Sequence, residues 1–317
     1  MSKIAIIGAG ISGLSVAYLL INKKYKTEIF ARAFSPNITS NKAAAFWFPY
    51  HIRNDKRGIE WCRKSYEYYQ QLSSVSETGV SMQKLIKVVR KEVDEEKTWI
   101  DFLPENSFRK LDADELNEKY KEGYEIIVPL IETQIFLPWM HKELKKHGVQ
   151  FHEKEIQNFD EIKNDYDAMV NCSGLGSREL CNDKELIPVR GQVGLLLAKN
   201  GLNILLNTEK PLYIVPRKDA IIIGGTYEDG IETENTESFV IEKLLANAYD
   251  AMPELLQQQF IGSWSGIRPY RLNVRVEREP NTNIIHNYGH GGSGFTLAFG
   301  CAEEVVRLIK EIVVYKL

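Results

Sequence analysis

The sequence predicts an α/β plus α+β protein, one part built on a parallel sheet and a second on a largely antiparallel one. Three observations carry this. The β-branched run KIAII (residues 3–7) leads directly into GAGISG and the helix-like LSVAYLLINK, and KTEIFAR then supplies a second strand, so residues 1–32 have the length of one βαβ unit. Between 191 and 279 the pattern changes to successive short strands, GQVGLLLA, LYIVPR, AIIIGGTY and GIRPYRLNVRVE, as expected of an antiparallel sheet with one covered face. The last segment, NIIHNYGHGGSGFTLAFGCAEEVVRLIKEIV, is strand, glycine-rich loop and helix.

The elements follow in order. Ile4 to Ile21 is 18 residues without a charge, long enough to imitate a membrane span, but Gly8, Gly10 and Gly13 interrupt it. It reads as strand, tight turn and helix. Residues 58–122 are more polar, with helical spacing in GIEWCRKSYEYYQQL and charge-rich helices or turns around KEVDEEKTW and DADELNEKYKEG, and they read as a lobe outside the sheet. FLPWMHKELKKHGVQFHEKEI is a helix closed by Gly148 and then a strand, and YDAMVNCSGLGSREL a buried strand ending at Ser173 and Gly174. The final helix is expected to begin near Thr296.

With 317 residues, 44% hydrophobic and 26% charged, the chain has globular composition and room for about two domains. Forty Lys and Arg against 43 Asp and Glu leave a net charge of −3, which argues against nucleic acid or an anionic membrane as partner and for a small molecule. Cys62, Cys172, Cys181 and Cys301 are scattered without a C-x-x-C pair, so neither a zinc site nor a disulfide framework is indicated. A reducing cytoplasm is expected, and Tyr315-Lys316-Leu317 is not the peroxisomal Ser-Lys-Leu address.

The first glycine triad has a physical task. Gly8 permits the turn, Gly10 admits a pyrophosphate to the backbone and Gly13 allows close helix–strand packing, with the phosphate facing the helix N-terminus. An acidic residue would normally end the second strand and take the ribose hydroxyls; here Arg32 and Ala33 stand there, so Arg32 could stack on adenine, reach a phosphate, meet an NADP 2′-phosphate, or simply be solvated. The second loop, GHGGSGF (289–295), points its amides at an anionic or carbonyl-rich edge. Two glycine loops, one at each end of the chain, suit one long bipartite cofactor, and FAD is the natural candidate. His286 and His290 are spaced i, i+4, but not on a helix, so no metal site is expected.

Arg268 precedes Pro269 and is biased to an extended strand-edge conformation, where a planar guanidinium suits bidentate capture of a carboxylate; an ordinary surface charge is the alternative. Tyr213 could add a hydroxyl to the same carboxylate or be a half-buried strand residue.

NKAAAFWFPY, PVRGQ, LYIVP, SGIRPYRLNVRVERE and HNYGHGGSGFTLAFGCAEE, with GAGISG, resemble the D-amino acid oxidase family of FAD-dependent oxidoreductases, in family order across nearly the whole chain. The resemblance implies a Rossmann-like FAD-binding domain from residues 1–50, 132–185 and 280–317, and a substrate domain from 51–131 and 186–279. It implies non-covalent FAD contacts at Gly8, Ala9, Gly10, Ile11, Ser12 and Gly13, at Arg32, Ala33, Thr39 and Ser40, and at Ala43, Ala44, Ala45 and Trp47. Ile156 and Ser173 should flank the adenosine half, and Gly291, Gly292, Ser293, Gly294, Phe295 and Thr296 the flavin. Arg268 would hold the substrate carboxylate, Tyr213 assist it, and the Gly292 carbonyl accept from the amine. The implied reaction is hydride transfer from Cα to flavin N5, releasing a 2-oxo acid, ammonia and, with O2, hydrogen peroxide. A homodimer is compatible with the family.

Departures bear on substrate. The Gln192–Tyr213 segment is shorter than in mammalian-type members, and their lid tyrosine has no counterpart in NTEKP, which points to a more open site. Phe46 and Phe48 stand where a smaller aliphatic and a polar residue are usual, giving a more apolar mouth. Relatives specific for D-aspartate place an arginine after GGT where Tyr227 stands, so neutral and aromatic D-amino acids are expected over acidic ones. A glycine/sarcosine-type amine oxidase, or a D-aspartate oxidase, is the alternative.

Overall fold

The computed structural model describes residues 1–21, 23, 25–89, 98–209 and 211–314. The expected helix or turn at KEVDEEK, and Tyr315-Lys316-Leu317, lie outside them. In chain order the elements are β1 (Ser2–Ile7), α1 (Ile11–Leu20), β2 (Tyr25–Ala31), α2 (Lys56–Leu72), β3 (Val80–Val89), β4 (Phe108–Lys110) and β5 (Glu122–Ile131). Then come α3 (Thr133–Lys146), β6 (Gln150–Glu153), β7 (Ala168–Asn171), α4 (Ser177–Leu180), β8 (Ile187–Leu197), β9 (Ile204–Asn207) and β10 (Leu212–Pro216). The chain continues with β11 (Ala220–Gly224), β12 (Glu228–Asp229), α5 (Ser238–Ala251), β13 (Phe260–Arg278), β14 (Ile284–His290) and α6 (Gly294–Val314).

All the strands belong to one sheet, ordered β4-β5-β3-β9-β10-β11-β8-β13-β14-β7-β1-β2-β6, with β12 beside β8. From β14 to β6 every pairing is parallel, as the opening βαβ unit requires. Toward β4 the pairings are antiparallel except β3 with β9. The uncharged run has its explanation here: β1 is interior to the sheet and α1, with Leu14, Val16, Ala17 and Leu20 buried, is packed against α6.

Two expectations need correction. Residues 58–122 are not a lobe outside the sheet: β3 and β4 lie within that stretch and, with β5, extend the antiparallel side, while DADELNEK forms turns. The period-2 signal in VSMQKLIKVV is weak because the strand mixes buried and half-buried positions on both faces. The last helix begins at Gly294, because the 3₁₀ turn Gly291–Ser293 runs directly into it.

Strand alternation splits the antiparallel side between two cores. Ile214, Ile221 and Ile223 pack with Ile241, Leu244 and Ala248 of α5, whereas Tyr213, Val215 and Ile222 face the main core. Both faces are thus covered, and Tyr213 lines a cavity at the margin of the main core. α2, begun by the Asp55 side chain accepting from Gly58 N at 2.9 Å, lies along α6, where a Cβ on Gly300 would come within 2.3 Å of the Trp61 backbone.

Candidate active site

A cavity of about 1140 Å³ runs from the β1–α1 turn to Tyr213 on β10 and Arg268 on β13. That is above the roughly 300–1,000 Å³ usual for small-ligand pockets. At its β1 end Gly8 has φ +112, and a Cβ there would lie 2.2 Å from the Cys172 carbonyl oxygen, so only glycine makes this turn. Gly10 precedes α1, and Ser40 Oγ accepts from Ile11 N at 3.0 Å, tying the 39–42 turn to the helix start. Ala9, Ile11 and Ser12 share this wall. The helix N-terminus therefore faces the cavity with its positive dipole end.

Arg32 and Ala33 line the same end, with Arg32 largely solvated and 3.8 Å from Glu155 Oε1, and Ile156 follows on the wall. Ser173 is fixed by Asn171 Oδ1, which accepts from its backbone N at 3.1 Å and its Oγ at 2.7 Å. Thr39, Ser40 and the run Ala43, Ala44 and Ala45 form the opposite side, with Ala45 held at φ +57. At the C-terminal loop Gly291, Gly292, Gly294, Phe295 and Thr296 close the cavity.

Three expected contact residues do not line it. Gly13 sits behind the turn, where a Cβ would lie 2.0 Å from Gly8 O, so its role is helix–strand packing. The Trp47 ring is buried in the core, edge-on to Tyr66, with its indole N–H donating to Cys62 O at 3.1 Å. Ser293 Oγ is occupied by the Tyr50 carbonyl.

The residues present fit FAD on one structural test. His290 is buried on this wall and its Nε2 has no hydrogen-bond partner, while Nδ1 lies 3.4 Å from Ser12 Oγ. Burial pushes its pKa down to about 4, so a neutral imidazole waits beside the glycine turn. Among the described residues no group of three or more His, Cys, Asp or Glu is placed to hold a metal ion.

Arg268 is only partly buried and faces the cavity from β13, donating from Nη1 to Thr226 O at 2.9 Å. Among the described residues no carboxylate pairs with it. Gly191 on β8 makes room, since a Cβ there would lie 2.1 Å from Arg268 Nη2. Tyr213 on β10 lies across Gly224 in the same way, 2.0 Å from a Cβ there, and burial raises its phenol pKa against the pull of Arg268. Phe46 stands edge-on to Tyr213 at 5.9 Å, and Phe48 completes the apolar wall.

Sequence reasoning assigned no role to Tyr50, His51, Lys87 or Trp99, which also line the cavity. Tyr50 closes the NKAAAFWFPY run that it did single out, and His51 is the next residue after it. Lys87, on the unexpected strand β3, donates to Thr208 Oγ1 at 3.3 Å and lies 5.3 Å from the Trp99 ring centre.

Residues 3–308 match the family model described as FAD dependent oxidoreductase. The chain is 32% identical over 315 residues to a D-amino-acid oxidase of Rubrobacter xylanophilus, covering 97% of this chain and 96% of that protein. It is 30% identical over 319 residues to a D-amino-acid oxidase of Dictyostelium discoideum, covering 98% and 92%. Its fold matches that of glycine oxidase from Geobacillus kaustophilus with a TM-score of 0.83 at 18% identity, covering 98% and 95% of the two chains.

Proposed function

The chain belongs to the D-amino acid oxidase family of FAD-dependent oxidoreductases, and from that membership we propose that it oxidatively deaminates neutral and aromatic D-amino acids. The observation that carries the reading is Arg268: a guanidinium aimed into the cavity with no acidic partner among the described residues, flanked by Tyr213 and by the Gly292 loop. Such a fork suits a carboxylate bidentately.

FAD, when bound, supplies the oxidant for the Cα–H bond and passes the electrons to O2. Around it this chain's residues position. Arg268 takes the substrate carboxylate and Tyr213 adds a phenolic donor. The Gly292 carbonyl accepts from the amine, which fixes which hydrogen on Cα faces the cofactor. Phe46 and Phe48 receive an apolar side chain and exclude water. Tyr227 lines the cavity beside Thr226 where a second cation would be needed for an acidic side chain. The balanced outcome is D-amino acid, O2 and water giving 2-oxo acid, ammonia and hydrogen peroxide.

The test is peroxide release from a panel of D- and L-amino acids, glycine and sarcosine. Neutral or aromatic D-amino acids are expected to have the highest kcat/KM. D-Aspartate exceeding every neutral substrate would overturn the preference, and glycine or sarcosine exceeding every D-amino acid would assign the site to small amines. We further propose a cytoplasmic location, supported by the free state of all four cysteines, and a homodimer. The exposed Leu256, Phe260 and Ile261, beside Leu197, support an interface, which sedimentation of the holoprotein checks.

A further inference from the structure

We propose that the Tyr50 hydroxyl is a second phenolic donor to the substrate carboxylate, acting with Tyr213 and Arg268. This rests on reading the cavity as an amino-acid site. Tyr50 follows Phe48 and Pro49 along the cavity wall and is half-buried. A Cβ on Gly292 would lie 3.2 Å from Tyr50 Cδ1 and 3.4 Å from Arg268 Cδ, so the two side chains flank one backbone position. That position carries the carbonyl assigned to the amine.

The ring is held rather than free. The Tyr50 carbonyl accepts from Ser293 Oγ, and the ring meets His51 edge-on at 4.3 Å and Tyr227 at 6.3 Å. Its hydroxyl makes no hydrogen bond to any described residue. A carboxylate offers about four lone-pair sites. Arg268 Nη1 already donates to Thr226 O, so a fully satisfied carboxylate needs donors beyond the guanidinium and Tyr213. Arg268 and Tyr213 both act electrostatically on the Tyr50 phenol, which places the three groups together, and burial keeps that phenol protonated and able to donate.

Tyr50→Phe removes only the hydroxyl. In the holoenzyme we expect the KM for D-alanine and the calorimetric Kd for pyruvate, which keeps the carboxylate but has no Cα–H to react, each to rise about 10-fold. The kcat should stay within about 2-fold and the FAD content should not change. Tyr213→Phe should give a similar rise, and the double variant a larger one. An unchanged pyruvate Kd overturns the proposal, as does a parallel loss of kcat and FAD, which would make Tyr50 a wall residue. Because the Kd is read without turnover, failure of the oxidase reading shows separately, as absent peroxide in the wild type.

Discussion

Arg268 carries the largest consequence of any single side chain. Arg268→Ala should lower kcat/KM for D-alanine by roughly 150-fold, about 3 kcal/mol of transition-state binding, because a charge-assisted bidentate pair is lost. Arg268→Lys should recover little, since a point charge does not reproduce the fork. A steady-state comparison on the same D-amino acid decides it. His290 has a different signature. Its folded pKa, about 4, lies below the ordinary 6.5, so the unfolded chain takes up the proton first as pH falls. The stability that neutral His290 contributes is complete above pH 6.5 and is lost progressively as pH drops toward 4. Burial also lowers His51, His141 and His286, which share the sign. Melting of the FAD-free chain should therefore show Tm falling from pH 6.5 to 4, with a shallower slope in His290→Asn; an unchanged slope would remove His290 from the balance.

Between residue and molecule, elements matter through what their backbones leave room for. Gly191→Ala would drive a methyl group onto the Arg268 guanidinium, so KM for D-alanine should rise while FAD stays bound. Gly8→Ala should do the reverse, because its Cβ meets the Cys172 backbone and its φ of +112 is strained for alanine. Flavin absorbance and KM, measured together on both variants, separate the two ends of the cavity. This contrast also marks what was legible beforehand. GAGISG between a strand and an uncharged helix has one plausible physical use, and runs such as LYIVP and AIII are short and rich in β-branched residues, as strands are. β3, β5, β9 and α5 were not legible. β3 mixes charged and apolar positions, β9 is four residues long, and Lys87 enters the cavity only because β3 is aligned beside β9, opposite Leu206. Tyr50 lay inside a singled-out motif, but its nearness to Gly292, far along the chain from it, has no local signal.

At the scale of the whole molecule, the partition into 1–50, 132–185 and 280–317 against 51–131 and 186–279 remains our proposal for the cofactor and substrate domains. Several contacts cross it. β13 pairs with β8 over Phe260–Tyr270 and with β14 from Arg275 to Arg278, so one strand is shared by the antiparallel and parallel sides. α2 belongs by sequence to the substrate side yet packs along α6, with Trp61 Nε1 donating to Glu304 at 2.8 Å. The β10–β11 turn returns the tie: buried Arg217 donates to Ala43 O at 3.1 Å and Thr133 Oγ1 at 2.9 Å while pairing with Asp219. With a common sheet and a common core, the two parts cannot separate without breaking strand β13 or exposing that guanidinium. Calorimetry of the holoprotein should accordingly give one unfolding transition. Arg217→Met should lower its Tm and weaken FAD retention together, because the Ala43 wall loses its anchor. Two resolved transitions would show that the domains unfold independently, and a lower Tm with FAD held as tightly as before would confine Arg217 to the sheet.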